Sequence, residues 1–390
     1  MKINDKKEVV EIMAYRYHQG KKVDKIRILN ELCDIYGYNR KYLIQVLNFK
    51  TGKKYIRKGP KFKYLKKGLL PPLTSIWLAT GQMCSKKLKA AMPEWLPFYD
   101  ESKQPLNDAI KAQLLSLSSA TIDRLLKPQK VKYKRHGLSG TRPGTLLKNQ
   151  IPIKTDHWDV TQAGFMEADT VAHCGNSLAG SFAWSVTMTD IHTGWTEIRA
   201  TWNKGASGVV TQINDIEVSL PFAILGFDCD NGSEFLNHHL IRYFAENRSL
   251  PVQFTRSRPY RKNDNAHVEQ KNWTHVRHLF GYDRFDDPIL INLMNDLYKN
   301  EWSLYQNHFV PVMKLIDKTK VNSKYRRKYD KPKTPYQRIL ESPEIIEETK
   351  DKLRQMHANL NPFTLKKEIE KKLHEIFKYV TVNKNARTKI

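Results

Sequence analysis

The sequence predicts an α/β core on a mixed sheet, an all-α N-terminal region and a mostly helical, basic C-terminal region. Two observations predict this. Apolar residues recur at helical spacing through about residue 130, then at strand spacing from about residue 164, after which strand and helix patterns alternate. Charge also divides the chain in three: residues 1–150 hold 32 Lys and Arg against 11 Asp and Glu, 151–250 hold 5 against 12, and 251–390 hold 29 against 17.

At 390 residues the chain is long enough for several cores. Its net charge of +26 and pI near 9.7 exceed what solubility needs and point to a polyanion, nucleic acid first. An anionic membrane is the weaker choice, because no apolar run approaches a spanning helix and the start, MKINDKKEVV, has no apolar signal core. A soluble, cytoplasmic protein is expected. Cys33, Cys84, Cys174 and Cys229 are isolated, which argues against a disulfide framework or structural zinc.

In the first region, 1–68, DKKEVVEIMAYRYHQG ends at Gly20 and KVDKIRILNELCDIYG ends at Gly37. NRKYLIQVLNFK then starts after an Asn39 cap. Three short helices with a glycine turn before the last fit a helix-turn-helix, and Arg40, Lys41 and Gln45 are side chains of the kind that reach bases and phosphates. An ordinary three-helix bundle fits equally well. A second helical unit, 69–130, repeats the idea in LNDAIKAQLLSLSSATIDRLLKP, where a Ser-capped helix is expected to turn Thr121, Arg124 and Lys127 outward. Residues 131–155 read as a basic linker.

The core, 156–290, begins with the strand GFMEADTVAH, continues through a hairpin closed by IHTG, and then alternates helix and strand. The order β-β-β-α-β-α-β-α implies a mixed sheet with helices on both faces. Three carboxylates stand out. Asp169 lies inside the first, central strand, where an acid is costly without a partner. Asp230 ends the strand FAILGFDCD, at the carboxyl edge where such sheets bind ligands. Glu269 lies on the last helix, four residues after a candidate cap, Asn265. Parity alone leaves Glu167 open beside Asp169 and Asp228 open beside Asp230. His173 reads as structural.

Hard oxygen donors of this kind suit Mg²⁺ or Mn²⁺, in a pair roughly 4 Å apart that clamps the attacking and leaving oxygens of a phosphodiester. Around Glu269 stand Arg256, Arg258, Arg261 and Lys262 in the preceding loop, with Lys271 and Arg277 on its helix, a cationic bed for phosphates. Trp273 is expected in the core.

The segments MEADTVAHCG, LGFDCDNGSEF and TRSRPYRKNDNAHVEQKNWTHVR resemble the three acidic motifs of the integrase catalytic domain, shared by retroviral integrases and bacterial insertion-sequence transposases of the DDE class. The flanks are similar to those of the ISNCY group. The resemblance spans about 164–283 and implies a ribonuclease-H-like fold. It selects Asp230 over Asp228 and Asp169 over Glu167, making Asp169, Asp230 and Glu269 both the catalytic residues and the metal ligands. It further implies hydrolysis at the ends of a mobile element and 3′-OH strand transfer into target DNA, by a homo-oligomer assembled on terminal repeats and target DNA in a bacterial nucleoid. The interval before Glu269 is longer than the family's usual thirty-five, and the family's zinc-binding front module is absent. A DNA-binding regulator lacking strand transfer is the alternative.

In the last region, 291–390, ILINLMNDLYKNEWSLYQNHF reads as helix, KVNSKYRRKYDKPKTPYQRILES as a basic, Pro-broken segment, and NPFTLKKEIEKKLHEIFKYV as an amphipathic helix with Leu365, Ile369, Leu373, Ile376 and Phe377 on one side.

Overall fold

The computed structural model describes residues 3–48, 66–102, 105–133, 160–229, 234–235, 238–245, 252–256, 266–321 and 323–387. Asp230, Arg258, Arg261, Lys262, the Asn265 cap and the linker beyond residue 133 lie outside them. The chain forms two compact units, Met1–Lys63 and Tyr64–Ile390.

In the first unit, α1 (Ile3–Gln19), α2 (Lys22–Tyr36) and α3 (Arg40–Leu47) enclose Val10, Tyr17, Ile28, Leu29, Leu32, Leu43 and Leu47. Gly37 ends α2 in the left-handed conformation at φ 68°, which a side chain would strain. Asn39 then caps α3 by accepting the amide of Lys41 at 2.9 Å. Both expected signals sit where their chemistry requires.

The second unit opens with α4 (Lys66–Ala79), α5 (Ser85–Ser102), α6 (Asp108–Ser116) and α7 (Ser119–Lys132). The sheet follows in the order β3-β2-β1-β4-β5, from β1 (Phe165–Ala172), β2 (Ala183–Asp190), β3 (Thr196–Trp202), β4 (Gly226–Cys229) and β5 (Gln253–Arg256). The first three strands form an antiparallel meander, and β4 and β5 run parallel to β1. This is the ribonuclease-H-like arrangement, with β1 central. Gly164 enters β1 at φ 112°, where a Cβ would lie 2.6 Å from the Ala223 carbonyl oxygen. Asp190 closes the β2–β3 turn by accepting the Thr193 amide and hydroxyl.

One sheet face, with Met166, Ala168, Phe227 and Cys229, packs on α8 (Ala206–Ser219) and α9 (His238–Ala245) through Val209, Ile213, Leu240 and Phe244. The other face is covered by α10 (Ala266–Lys271), which runs on as a π-helical stretch, Asn272–Arg277, and a last α-turn, His278–Phe280. Beyond it lie α11 (Ile289–Leu297), a second π-helical stretch (Tyr298–Trp302) and α12 (Ser303–Phe309).

The chain then forms a hairpin of β6 (Leu315–Val321) and β7 (Lys324–Tyr329), followed by α13 (Pro335–Glu341), α14 (Glu347–Ala358) and α15 (Pro362–Arg387). Helices α4–α7, the second sheet face, α11, α12 and α15 share one apolar core. Trp95 donates to the Phe309 carbonyl at 3.1 Å and Tyr305 to that of Ala79 at 2.8 Å, tying front to back. Thus the segments expected separately as 69–130, 156–290 and 291–390 are packed as one body. Among the described residues, no helix is long and apolar enough to cross a membrane.

Candidate active site

Alternation along β1 sends Met166 and Ala168 into the α8–α9 core, so Glu167 and Asp169 face α10. Glu167, nearly fully buried, accepts the Val268 amide on Oε2 at 3.0 Å. Asp169, half-buried, accepts its neighbour Thr170's amide on Oδ1 and the Asn272 side-chain amide on Oδ2, both at 2.7 Å. Two alternate residues of one strand therefore grip α10 and the start of its π-helical continuation, on either side of Glu269. Glu269 itself is exposed, less than one turn from the side chain that touches Asp169. Glu167 is thus a support of the helix.

The inner stripe of this helix is Val268, Lys271, Asn272, His275 and Val276. That spacing corrects two expectations. Lys271, 7% exposed, donates to the Gly194 carbonyl at 3.2 Å instead of lying in an open phosphate bed. Burial lowers its pKa to about 7, with Lys87 and Arg338 adding repulsion. Trp273 is 44% exposed and sits edge-on to His278, on the outer side with Glu269 and outside the core. Arg277 is half-buried, donating to the carbonyls of Ala172 at 3.0 Å and Gly281 at 3.3 Å, with its guanidinium over Tyr282. It fastens the end of β1 to the helix.

Asp230 lies outside the described residues, but its chain neighbours are tied to β1. Cys229 pairs with Ala168, the residue before Asp169. On the other side, Glu234, 1% exposed, accepts the Thr170 hydroxyl at 3.1 Å and pairs with Lys204 at 2.5 Å. Sequence reading missed Glu234, although its place in DNGSEF was a signal. Asp228 accepts the Thr255 hydroxyl at 2.7 Å and so braces β4 against β5. His173 is buried, with Nε2 2.8 Å from the Ser185 hydroxyl and a pKa lowered to about 3 by burial and then by Arg277. It is structural.

No family model matches the chain. The "Uncharacterized protein y4rM" of Sinorhizobium fredii (strain NBRC 101917 / NGR234) is 34% identical to it over 344 residues, covering 85% of this chain and 94% of that one. The chain belongs to the y4rM family. Among solved structures, the catalytic core domain of BIV integrase is similar to 46% of this y4rM-family chain and 94% of its own, at 14% identity and a TM-score of 0.28. The HTLV-2 integrase catalytic core domain in complex with magnesium covers 39% and 92%, at 13% identity and 0.28. The simian T-cell lymphotropic virus intasome in complex with PP2A regulatory subunit B56 gamma covers 64% and 76%, at 14% identity and 0.35.

The remaining candidates of the y4rM-family chain divide by exposure. On α3, Arg40, Lys41 and Gln45 are exposed beside Tyr42, while Leu43 and Leu47 point inward; Arg40 also donates to the Asn30 side chain. On α7, Arg124 and Lys127 are exposed, but Thr121 is 8% exposed. Thr121 does not point outward as expected, because its amide donates to the Ser118 cap at 3.2 Å and its hydroxyl lies 2.9 Å from the Ser118 oxygen. The cap that starts the helix turns this residue in. Arg256 contributes its backbone to β5 opposite Cys229.

Proposed function

We propose that this chain is a DDE-class DNA transposase, similar to the ISNCY group. It would hydrolyse phosphodiesters at element ends and join the freed 3′-OH to target DNA. The observation that carries this reading is the central-strand carboxylate Asp169, held by Asn272 on the helix that presents Glu269 and flanked by the ties on both sides of Asp230.

Asp169, Asp230 and Glu269 would hold Mg²⁺ or Mn²⁺. Among the described residues, no three His, Cys, Asp or Glu side chains form a metal set; two of the three proposed ligands are described. The donor chemistry fits: these are hard carboxylate oxygens, and Asp169 is only half-buried, although Asn272 already orients one of its oxygens. A bound pair of such ions supplies Lewis-acid stabilisation of the attacking and leaving oxygens.

The chain's own groups do the positioning. Glu167 fixes the first turn of α10, Asn272 sets the plane of the Asp169 carboxylate, and Lys204 and Thr170 hold Glu234, four residues beyond Asp230 in the sequence. Arg256, Arg258, Arg261, Lys262 and Arg277 would steer the phosphate backbone toward the carboxylates. Arg40, Lys41 and Gln45 would read terminal repeats from α3, assisted by Arg124 and Lys127 on α7. Copies of the chain would assemble on the paired ends.

The test is strand cleavage and joining with purified protein on a duplex carrying the element end. Asp169→Asn, Asp230→Asn and Glu269→Gln are each expected to abolish both reactions while DNA binding stays within about twofold, since the amides keep the shape but bind hard cations poorly. Near wild-type cleavage in any one of them removes that residue from the site.

A further inference from the structure

A second basic surface lies on elements that contribute nothing to the carboxylate site. The β6–β7 hairpin is a two-stranded ribbon carrying Lys318, Lys320, Lys324, Arg326, Arg327 and Lys328 against one acid, Asp317. Beside it is a cleft of about 690 Å³, lined by Arg326, Arg327 and Lys328 together with Lys86 and Lys89 from the first turns of α5 and Ser119 at the start of α7. All five of these bases are exposed, and among the described residues none of them is ion-paired. The acids in the same lining are Asp317 and Asp330, and Asp330 is already paired with Arg338 at 2.5 Å.

The base of the ribbon is held rigidly. Val312 bridges to Lys333, the Lys314 amide donates to Asp330 at 2.7 Å, and the Lys314 ammonium donates to the His192 carbonyl at 2.8 Å. The strands beyond this clamp are open, with Ile316, Val321 and Tyr329 exposed as well as Lys320, Lys324, Arg326, Arg327 and Lys328. A bare two-stranded hairpin is marginal in water, so one kept rigid at its base and covered by uncompensated positive charge is poised for a polyanion.

We infer that the β6–β7 ribbon and its cleft form a second binding site for duplex DNA, engaging the sugar–phosphate backbone. A two-stranded ribbon fits the width of the major groove. At about 3.3 Å per residue its strands run roughly 20 Å, along which a duplex presents on the order of a dozen phosphates. The lining is mostly charged and hydroxyl side chains, which suits a repeating anion better than the apolar anchors of a protein partner. This inference goes beyond the proposed reaction and does not depend on it, because backbone binding needs neither metal nor cleavage.

The experiment measures binding of the full chain to a random-sequence duplex of about 30 base pairs, in EDTA, across a salt series. Wild type is compared with Arg326→Gln/Arg327→Gln/Lys328→Gln, with Lys86→Gln/Lys89→Gln, and with a charge-matched control on α15, Lys367→Gln/Lys371→Gln/Lys378→Gln. The triple ribbon variant is expected to bind roughly tenfold more weakly and to lose about 0.9 of log–log salt slope per broken contact, and the α5 pair to lose proportionately less. The control should move affinity less than about twofold. Equal losses in the control and ribbon variants, or unchanged slopes in both ribbon and α5 variants, overturn the site. So does poly-L-glutamate binding as tightly per charge as the duplex with the same loss in the variants, which would indicate an acidic protein partner. Should the triple variant unfold, the α5 pair decides by the same readout. Cleavage plays no part, so a chain that failed as a transposase would leave this result intact.

Discussion

Asn272 donates its side-chain amide to Asp169 Oδ2 at 2.7 Å across 103 residues of chain. The bond joins the central strand to the helix bearing Glu269 and leaves the other Asp169 oxygen to its neighbour's amide. If Asp169 is a metal ligand, Asn272 positions it. Asn272→Leu is expected to lower cleavage by about 10–100-fold, the usual cost of removing the partner of a ligand, and Asp169→Asn to abolish it. Raising Mn²⁺ should recover part of the Asn272→Leu loss and none of the Asp169→Asn loss. Metal titrations of cleavage rate measure both.

Glu167 holds the helix through the Val268 amide, a bond that needs an acceptor but no charge. Glu167→Gln is therefore expected to keep near wild-type stability and cleavage. Glu167→Ala, which leaves a buried amide without its partner, should cost about 1–3 kcal/mol of stability. Denaturant midpoints compare the two. Abolished cleavage in a well-folded Glu167→Gln would make Glu167 a ligand.

Lys271 turns its ammonium into the interior, where burial lowers its pKa to about 7. Replacing it with methionine removes a costly charge and retains the stem, so Lys271→Met is expected to melt at the same temperature as wild type or higher. The salt slope of DNA binding should not change. A slope reduced by about one unit would mean that the ammonium reaches a phosphate.

His173 sets an acid limit on the fold. Its folded pKa, near 3, lies below the ordinary 6.5, so between those values the unfolded chain holds the extra proton. The stability from a neutral His173 is complete above about pH 6.5 and is lost as pH falls toward 3. The expected slope is at most about 1.4 kcal/mol per pH unit. Substituting His173→Gln should flatten unfolding free energy against pH across that window, while any residual slope belongs to other groups such as His308, also lowered to about 3.

Sequence alone was enough for whatever local chemistry decides. The helix ends at Gly37 and Asn39 follow from which residues tolerate a left-handed turn or cap an amide. The order of strands and helices follows from apolar spacing, and Asp169 stood out because an acid inside a strand must be compensated. The β6–β7 hairpin was also legible in principle, because the sequence places Asn-Ser, a pair of turn-favouring residue types, between Val321 and Lys324, but prolines and bases in the same segment obscured it. Tertiary structure decided which side of each helix meets a neighbour. A four-carbon lysine stem can occupy an inner stripe as well as an outer one, so nothing local sends Lys271 inward and Trp273 outward. Packing of α10 on β1 does so, through Glu167 and Asn272, each bonded to a residue more than a hundred positions away. The merging of the second helical region with the last one has the same cause: their apolar faces match each other and the sheet, and periodicity can show that a face is apolar without showing what it meets.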